Sequence, residues 1–167
     1  MLKKDLLEFN RNVFDELNFK WGIITAGDKT TKVNSMTVSW GGFGVLWNKY
    51  VCYIFVRKSR YTHDILDNTD SLTISFLTDE YKKEKIYMGR ISGRDENKYE
   101  KSNLHITFDP DYNGYYIKEA QYAFKMKVIY KTDLLDLPKD IMDNFYKDFD
   151  YHTMYVCEIK QYLENLA

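Results

Sequence analysis

The most apolar run of the chain is residues 50–56, and it limits the kind of fold that this sequence can adopt. Nearly all of its residues are β-branched or aromatic, which favours a strand in the middle of a sheet. Residues 71–77 alternate polar and apolar side chains strictly, as a half-buried strand does. In residues 120–130, apolar side chains line one face and polar ones, mostly lysines, alternate with them. The three runs predict a sheet with a buried face.

Shorter segments complete the predicted architecture. Further strands are expected at residues 21–26, 33–40 and 152–162. Glycines 41, 42 and 44 interrupt the second of them and allow either a bulge or a close backbone approach. Helices are expected where apolar residues recur at helical spacing or capping residues stand, namely residues 6–17, 62–66 with Thr62 as the cap, 78–89, 96–101 and a helix opened by Pro138. Many strands with a few short helices predict a mainly β fold, an antiparallel β-barrel with short helices.

The length and charge of the chain restrict its class. At 167 residues it is predicted to be a single domain spanning 1–167. Its 24 basic and 25 acidic side chains give a net charge of −1, so no global field favours nucleic acid or a membrane surface as a partner. The first residues lead into an amphipathic stretch rather than a signal peptide, and no apolar run approaches the ~20 residues of a membrane helix.

The two cysteines indicate the redox environment of the protein. Cys52 and Cys157 both lie in apolar, strand-like runs, and neither has the spacing of a metal ligand. Such cysteines are typical of buried, reduced thiols. We therefore expect a cytoplasmic protein without a metal site.

Residues 57–62 place two guanidiniums and two hydroxyls where an extended run gives way to a helical one. Arg57 and Arg60 suit a phosphate monoester, because a guanidinium donates two parallel charge-assisted hydrogen bonds to it. Ser59, Thr62 and free amides at the start of the helix add donors. The segment predicts a phosphate socket, but the same pattern also suits a solvated strand end with a capping threonine.

Residues 34–40 carry a second concentration of polar groups within a predicted strand. Asn34, Ser35, Thr37 and Ser39 can hydrogen bond along the ribityl chain and the polar edge of a flavin, and Trp40 can flank its ring. An exposed strand face with β-favouring Ser and Thr explains these hydroxyls equally well. Composition alone assigns no role to Lys98 or His152, because one lysine among many or a lone histidine is more often structural.

Together, four segments resemble the flavin reductase-like family of flavin mononucleotide (FMN)-binding split barrels, and within it the flavoredoxin-like members. The matching segments are residues 34–40 (NSMTVSW), 57–62 (RKSRYT) and 92–95 (SGRD) with Lys98, and the late His152. In order and spacing they span residues 21–159. The sequence departs from the family pattern at Lys58, where Pro is usual, and at Cys157, where Gly is common.

The resemblance implies an FMN-binding split β-barrel that forms a homodimer, with the flavin near the subunit interface. It places five residues around the cofactor, namely Asn34, Trp40, Thr62, Lys98 and His152. With the polar residues of the two segments, the predicted FMN site consists of Asn34, Ser35, Met36, Thr37, Ser39, Trp40, Arg57, Ser59, Arg60, Tyr61, Thr62, Lys98 and His152. No residue is assigned a catalytic role, since the reaction belongs to the cofactor.

Three functions are consistent with these residues. The first is an oxidoreductase of the flavin reductase or flavoredoxin type, which passes electrons from NAD(P)H through FMN to a flavin or protein acceptor. The second is a non-enzymatic FMN electron carrier that docks to a redox partner protein. The third is a barrel that has lost its cofactor and serves as an interaction module. The missing Rossmann fingerprint does not decide between them, because split barrels do not use one.

Overall fold

The computed structural model describes residues 1–165, so the predicted domain extends two residues beyond the described range. Ten strands, β1–β10, occupy Leu2–Lys4, Gly22–Ala26, Asn34–Val38, Gly41–Leu46, Lys49–Arg57, Ser71–Phe76, Ile106–Asp109, Gly114–Ile117, Tyr122–Asp133 and His152–Glu164. Four α-helices, α1–α4, occupy Val13–Asp15, Tyr61–Leu66, Lys82–Arg90 and Lys139–Phe145. Single helical turns lie at Leu6–Glu8, Glu16–Lys20 and Asp79–Tyr81. The predicted fold class, mainly β with short helices, is confirmed.

Eight of the strands form one antiparallel sheet that curls around a common core. The order is β3-β2-β6-β9-β10-β5-β4, with β1 added to β10, and β7 pairs with β8 in a separate hairpin. Apolar side chains from strands along the whole sheet meet in one cluster, including Ile24, Met36, Ile54 and Phe124. β3 and β4 are the two ends of the described sheet, so the barrel is split between them.

Phe9 fills one end of the barrel with aromatic contacts. Its ring centroid lies 5.0 to 5.9 Å from those of Phe43, Tyr122, Phe124 and Tyr162. The helix predicted for residues 6–17 is wrong, because Asp5 and Asn12 each cap a separate short turn and the chain bends between them. The apolar residues that recur at helical spacing therefore lie in separate short turns rather than in one helix.

A second layer covers the outer face of β2 and β6. Ile23, Met88, Leu104 and Ile117 form a separate apolar cluster there, contributed by β2, α3, the segment before β7 and the β7–β8 hairpin. All six residues of β6 are therefore buried, and the expectation of a half-buried strand is wrong. Polar and apolar residues do alternate along β6, but this second layer covers the polar face of the strand.

The glycines after β3 permit a close backbone approach and not a bulge, the two alternatives that their pattern predicts. Residues 41–46 are a continuous strand, β4, paired with β5 at all six positions, and a Cβ on Gly41 would lie 2.6 Å from the Tyr53 carbonyl oxygen. The helix predicted for residues 96–101 is wrong. These residues form turns, and the Lys98 side chain donates to buried carbonyl groups.

Cys52 and Cys157 face each other across β5 and β10, and both are buried and free. The expectation of buried cysteines without a disulfide is thus confirmed. Burial raises the pKa of both thiols. Within residues 1–165, no helix has the length and apolar character needed to span a bilayer.

Candidate functional site

A buried hydrogen bond joins the two predicted polar segments. Asn34, the first residue of β3, donates from Nδ2 to Thr62 Oγ1 at 2.9 Å, and both side chains are buried. The prediction that Thr62 caps α2 is wrong: Arg60 is the N-cap residue, and its side chain makes no capping hydrogen bond. Thr62 instead points into the fold and fixes α2 against the edge of β3.

A cavity of about 350 Å³ opens beside this hydrogen bond. We call it the phosphate cavity, and its polar lining is Asn34, Ser59, Arg60, Arg90, Ser92, Arg94, Asp95 and Lys98. The lining thus contains three guanidiniums, one ammonium group and a single carboxylate, that of Asp95. A Cβ on Gly93 would overlap Asn34 Oδ1 and the Tyr61 ring, so the loop lies as close to β3 as glycine allows. This donor set fits a phosphate dianion.

The three arginines of the phosphate cavity differ in how many of their hydrogen-bond donors already have partners within the protein. Arg94 donates to Asp64 Oδ2 at 2.6 Å and to the Ser59 carbonyl at 2.8 Å. Arg60 donates to the Gly89 carbonyl at 2.7 Å, and burial lowers its pKa. The Arg90 side chain makes no hydrogen bond or ion pair to the described residues. Arg60 and Arg90 therefore have donors left for an anion.

Lys98 hydrogen bonds to three of the segments that surround the phosphate cavity. Its Nζ donates to the Ser35 carbonyl and, at 3.2 Å each, to the carbonyls of Met88 and Ile91. The side chain is only 2% exposed, and burial together with the Arg60 guanidinium lowers its pKa to about 8. Because all three protons are used, Lys98 contributes positive charge and fixes β3, α3 and the following loop relative to one another.

The other residues of β3 divide between its two faces. Ser35 Oγ hydrogen bonds to Thr25 Oγ1 at 2.8 Å and to Tyr99 Oη at 2.7 Å, and Thr37 Oγ1 donates to the Lys85 carbonyl. Met36 lies in the barrel core. Ser39 is exposed and lines a cavity of about 320 Å³ together with Thr37 and Arg90. Of the predicted hydroxyls, Ser39 is thus the one left open to a ligand.

Trp40 lies two residues beyond the end of β3, in an aromatic group that we define as Trp40, Phe145, Tyr146 and His152. The Trp40 ring centroid is 5.0 Å from that of His152 and 5.6 Å from that of Phe145. Tyr146 Oη lies 2.9 Å from His152 Nδ1. Trp40 remains 44% exposed. The group lies beyond the end of β3 opposite to Asn34, and the six-residue step between them spans at most roughly 20 Å.

Arg57 and Ser59 face residues of the loop between α4 and β10. Arg57 donates to the carbonyls of Phe145 and Asp150, and Ser59 hydrogen bonds to the Asp150 carboxylate. Ser59 also lines the phosphate cavity. The structure therefore brings Asn34, Ser59, Arg60, Tyr61 and Lys98 to one cavity, while Arg57, Trp40 and His152 lie together elsewhere.

Sequence reasoning missed Arg90, Ser92, Arg94 and Tyr146. The signal for the first three was present, since two arginines flank a Ser-Gly pair in residues 90–94. Residues 92–95 were recognised as a matching segment but received no site role. Tyr146 carried no signal, because it lies within the helix predicted to begin at Pro138 and its sequence context resembles that of the other tyrosines.

His152 gives the fold a specific pH dependence. Burial, with a contribution from Arg57, lowers its pKa to about 4, although Asp150 opposes the shift. The unfolded chain, with a pKa near 6.5, binds this proton more readily, so stability is retained above pH 6.5 and lost as the pH falls towards 4. Between pH 7 and pH 4.5, we expect the free energy of unfolding to fall by on the order of 2 kcal/mol less in His152→Gln than in wild type. Urea unfolding at the two pH values measures the difference.

The matched control for this prediction is His105→Gln. His105 is exposed and pairs with Glu119 at the surface, so its removal should leave the acid-induced loss of stability nearly intact. An identical pH profile for wild type and His152→Gln would contradict the prediction.

Comparison with solved structures identifies the same fold at low sequence identity. Flavoredoxin from Methanosarcina acetivorans aligns with a TM-score of 0.67 at 21% identity, covering 87% of this chain and 68% of the other. Flavoredoxin of Desulfovibrio vulgaris (Miyazaki F) aligns with a TM-score of 0.70 at 20% identity, covering 98% and 77%. For the styrene monooxygenase flavin reductase from Pseudomonas putida S12 the values are 0.65, 13%, 89% and 80%. These likenesses establish a shared fold.

A search of curated proteins found no match. The family model described as "Flavin reductase like domain" matches residues 16–166, which is nearly the whole chain and includes both polar segments, the phosphate cavity and the aromatic group. The chain belongs to the flavin reductase-like domain family, and its fold is the split barrel of flavoredoxins and flavin reductases.

Proposed function

We propose that this protein is an FMN-dependent oxidoreductase that passes electrons from NAD(P)H through FMN to a flavin or protein acceptor. The observation that carries the proposal is the phosphate cavity, where Arg60, Arg90 and Lys98 concentrate positive charge at one end of β3. The aromatic group lies beyond the other end of β3, an arrangement that suits the phosphate and ring ends of one elongated ligand. Bound FMN would supply the redox chemistry, accepting a hydride equivalent and passing electrons on.

Each part of the site has a proposed role toward FMN. Arg60, Arg90 and Ser92 would bind the phosphate, since their donors face the cavity. Asn34 and Ser39 would contact the ribityl chain along the edge of β3. Trp40 and His152 would lie beside the ring, where the low pKa of His152 keeps its imidazole neutral at pH 7. A neutral imidazole can donate one hydrogen bond to a ring atom without adding a charge.

The test is anaerobic reduction of the purified, flavin-loaded protein. Rapid bleaching of the flavin absorbance by NADH or NADPH alone is expected for the enzyme. Reduction by dithionite serves as the control that the bound flavin is reducible. Bleaching with dithionite but not with either nicotinamide nucleotide would contradict the enzymatic proposal. A protein that binds no flavin would contradict both this proposal and the carrier described next.

A second candidate function is a non-enzymatic FMN electron carrier that docks to a redox partner protein. The observation that favours it is the exposure of Trp40, because a ring site open to the surface permits electron transfer to a docked protein. Slow reduction by nicotinamide nucleotides, combined with fast reduction through a partner, would support the carrier. We propose the cytoplasm as the location for either function, since both cysteines are free.

The cofactor retained on purification is expected to be FMN rather than FAD. The phosphate cavity offers donors for a terminal phosphate, and the sequence carries no dinucleotide fingerprint. Heat denaturation followed by chromatography of the released flavin identifies the cofactor. A sample containing mostly FAD would contradict this preference.

We also propose a homodimer, supported by an exposed apolar surface on the β4–β5 side of the barrel. Val45, Trp47, Tyr50 and Tyr130 are all exposed there, and the rings of Trp47 and Tyr130 lie 6.2 Å apart. Sedimentation at micromolar concentration is expected to show one species of twice the 20.0 kDa chain mass. Trp47→Glu should shift it toward monomer because it places a charge in the interface.

Phe14→Glu is the control for the dimer, since Phe14 is an exposed aromatic residue near the N-terminus. It should leave the sedimentation unchanged. A wild-type monomer that holds flavin tightly would contradict the proposal.

A further inference from the structure

Three consecutive residues, 57–59, hydrogen bond to the loop between α4 and β10 and to the end of α4. The first of them is the last residue of β5, and the other two follow it. Ser59 donates from its backbone N–H to Asp150 Oδ1 at 3.0 Å and from Oγ to Asp150 Oδ2 at 2.6 Å. Arg57 donates from Nη1 to the Asp150 carbonyl at 2.8 Å and from Nη2 to the Phe145 carbonyl at 3.1 Å. The Lys58 N–H donates to the Tyr151 carbonyl at 3.1 Å. Both ends of the loop are thus fixed to one segment.

Three of the four residues of the aromatic group lie in this loop or at its two ends, namely Phe145, Tyr146 and His152. The Arg57 guanidinium lies 5.4 Å from the Tyr146 ring centroid, and Tyr146 Oη meets His152 Nδ1. His152 in turn packs against Trp40. Arg57 also satisfies the Phe145 carbonyl at the C-terminal end of α4, where backbone acceptors lack helical partners. Two contacts therefore connect Arg57 to His152, and a third connects His152 to Trp40.

We propose that Arg57 and Ser59 are positioning residues, which hold the loop so that Tyr146 and His152 form the ring end of the ligand site, and are not ligands of the phosphate. The proposal rests on the proposed function, because it assigns these residues to one part of the same flavin site. It revises the expectation from sequence, which placed Arg57, Ser59 and Arg60 together on the phosphate.

The charges around the loop argue against a phosphate at Arg57 and Ser59. The Asp150 carboxylate already accepts both donors of Ser59 and lies 3.9 Å from Arg57 Nη1. Asp148 Oδ1 lies at the same distance from Arg57. A phosphate dianion placed here would have to displace one carboxylate and approach another. Arg60 and Arg90 line the phosphate cavity, where Asp95 is the one carboxylate of the lining, and neither guanidinium forms an ion pair with the described residues.

The first test compares FMN with riboflavin, which lacks the phosphate. Arg57→Gln and Ser59→Ala are expected to weaken both ligands by the same factor, about tenfold, because a displaced ring site affects the part that the two ligands share. The control is Lys58→Gln, which removes the same charge at the adjacent position, where Lys58 pairs with Asp133 outside the loop. It should leave both affinities within about twofold.

A loss confined to FMN in Arg57→Gln or Ser59→Ala would overturn the proposal and make these residues phosphate ligands. Unchanged affinities for both ligands would also overturn it. Thermal unfolding of each variant, measured in parallel, verifies that the titrated protein is folded.

A second test needs no flavin and separates this proposal from the proposed function. The pKa of His152 is measured by NMR in the apoprotein, where Trp40, Arg57, Tyr146 and Asp150 surround the imidazole. Loss of the Asp150 charge alone would lower that pKa further, because the carboxylate raises it. Release of the loop would expose the ring and raise the pKa towards 6.5. We expect a rise in both Asp150→Ala and Ser59→Ala.

The two outcomes of the second test are unambiguous. A His152 pKa that rises in both variants supports the positioning role even if the protein binds no flavin. A pKa that stays near its wild-type value in Ser59→Ala and falls in Asp150→Ala would overturn it.

Discussion

Replacing Lys98 with Met is expected to lower the free energy of unfolding by about 2–4 kcal/mol. The change leaves the buried carbonyls of Ser35, Met88 and Ile91 without their donor, at roughly 1–3 kcal/mol for each group. Methionine also removes the combined cost of burying an ammonium and of placing it beside Arg60, which lowers the pKa to about 8 and corresponds to roughly 3 kcal/mol. The unmet carbonyls outweigh that relief. Urea unfolding at pH 7 measures the difference.

The matched control is Lys101→Met, three residues later in the same loop. Lys101 is largely exposed and pairs with Glu96 at the surface, so its loss should change stability by less than about 1 kcal/mol. Equal stabilities for Lys98→Met and wild type would contradict the prediction. That result would mean that water entering from the phosphate cavity replaces the ammonium at all three carbonyls.

Replacing Arg60 with Ala is expected to weaken FMN by about 1.5–3 kcal/mol, or one to two decades in affinity. Riboflavin has no phosphate, so its affinity should change little. Arg60 is half-buried at the phosphate cavity and is oriented by its hydrogen bond to the Gly89 carbonyl, which reduces the entropy lost when it grips an anion. Titration of wild type and variant with both ligands gives the two differences.

Two controls bracket the Arg60 experiment. Lys127→Ala removes an exposed cation that pairs with Asp70 and should affect neither ligand. Trp40→Ala removes a ring neighbour and should weaken both ligands. Equal losses for FMN and riboflavin in Arg60→Ala would show that the phosphate lies elsewhere.

The parts of the site that the sequence predicted are those fixed by short-range order. The change from β5 to α2 between Arg57 and Tyr61 follows from the local pattern, and it places Arg60 at the mouth of the cavity. The strand character of residues 34–38 likewise follows from composition. The sequence also assigned the two polar segments to one site, and the hydrogen bond between Asn34 and Thr62 brings them into contact.

The parts that could not be predicted depend on contacts between distant residues. Arg57 and Arg60 look equivalent in sequence, but Arg57 bonds to carbonyls about 90 positions later while Arg60 bonds near α3. The β7–β8 hairpin has only four residues in each strand, too few for a pattern to emerge. The complete burial of β6 beneath that layer was hidden for the same reason.

The site draws on residues 34–40, 57–62, 90–98 and 145–152, which come from opposite ends of the sheet order. No local fragment contains even half of it, so occupancy and global folding are thermodynamically linked. A ligand that binds only the native state adds about 2.7 kcal/mol of stability at a free concentration one hundred times its Kd. The loss of a bound chromophore on heating would therefore report cooperative melting of the whole barrel rather than the opening of a single loop.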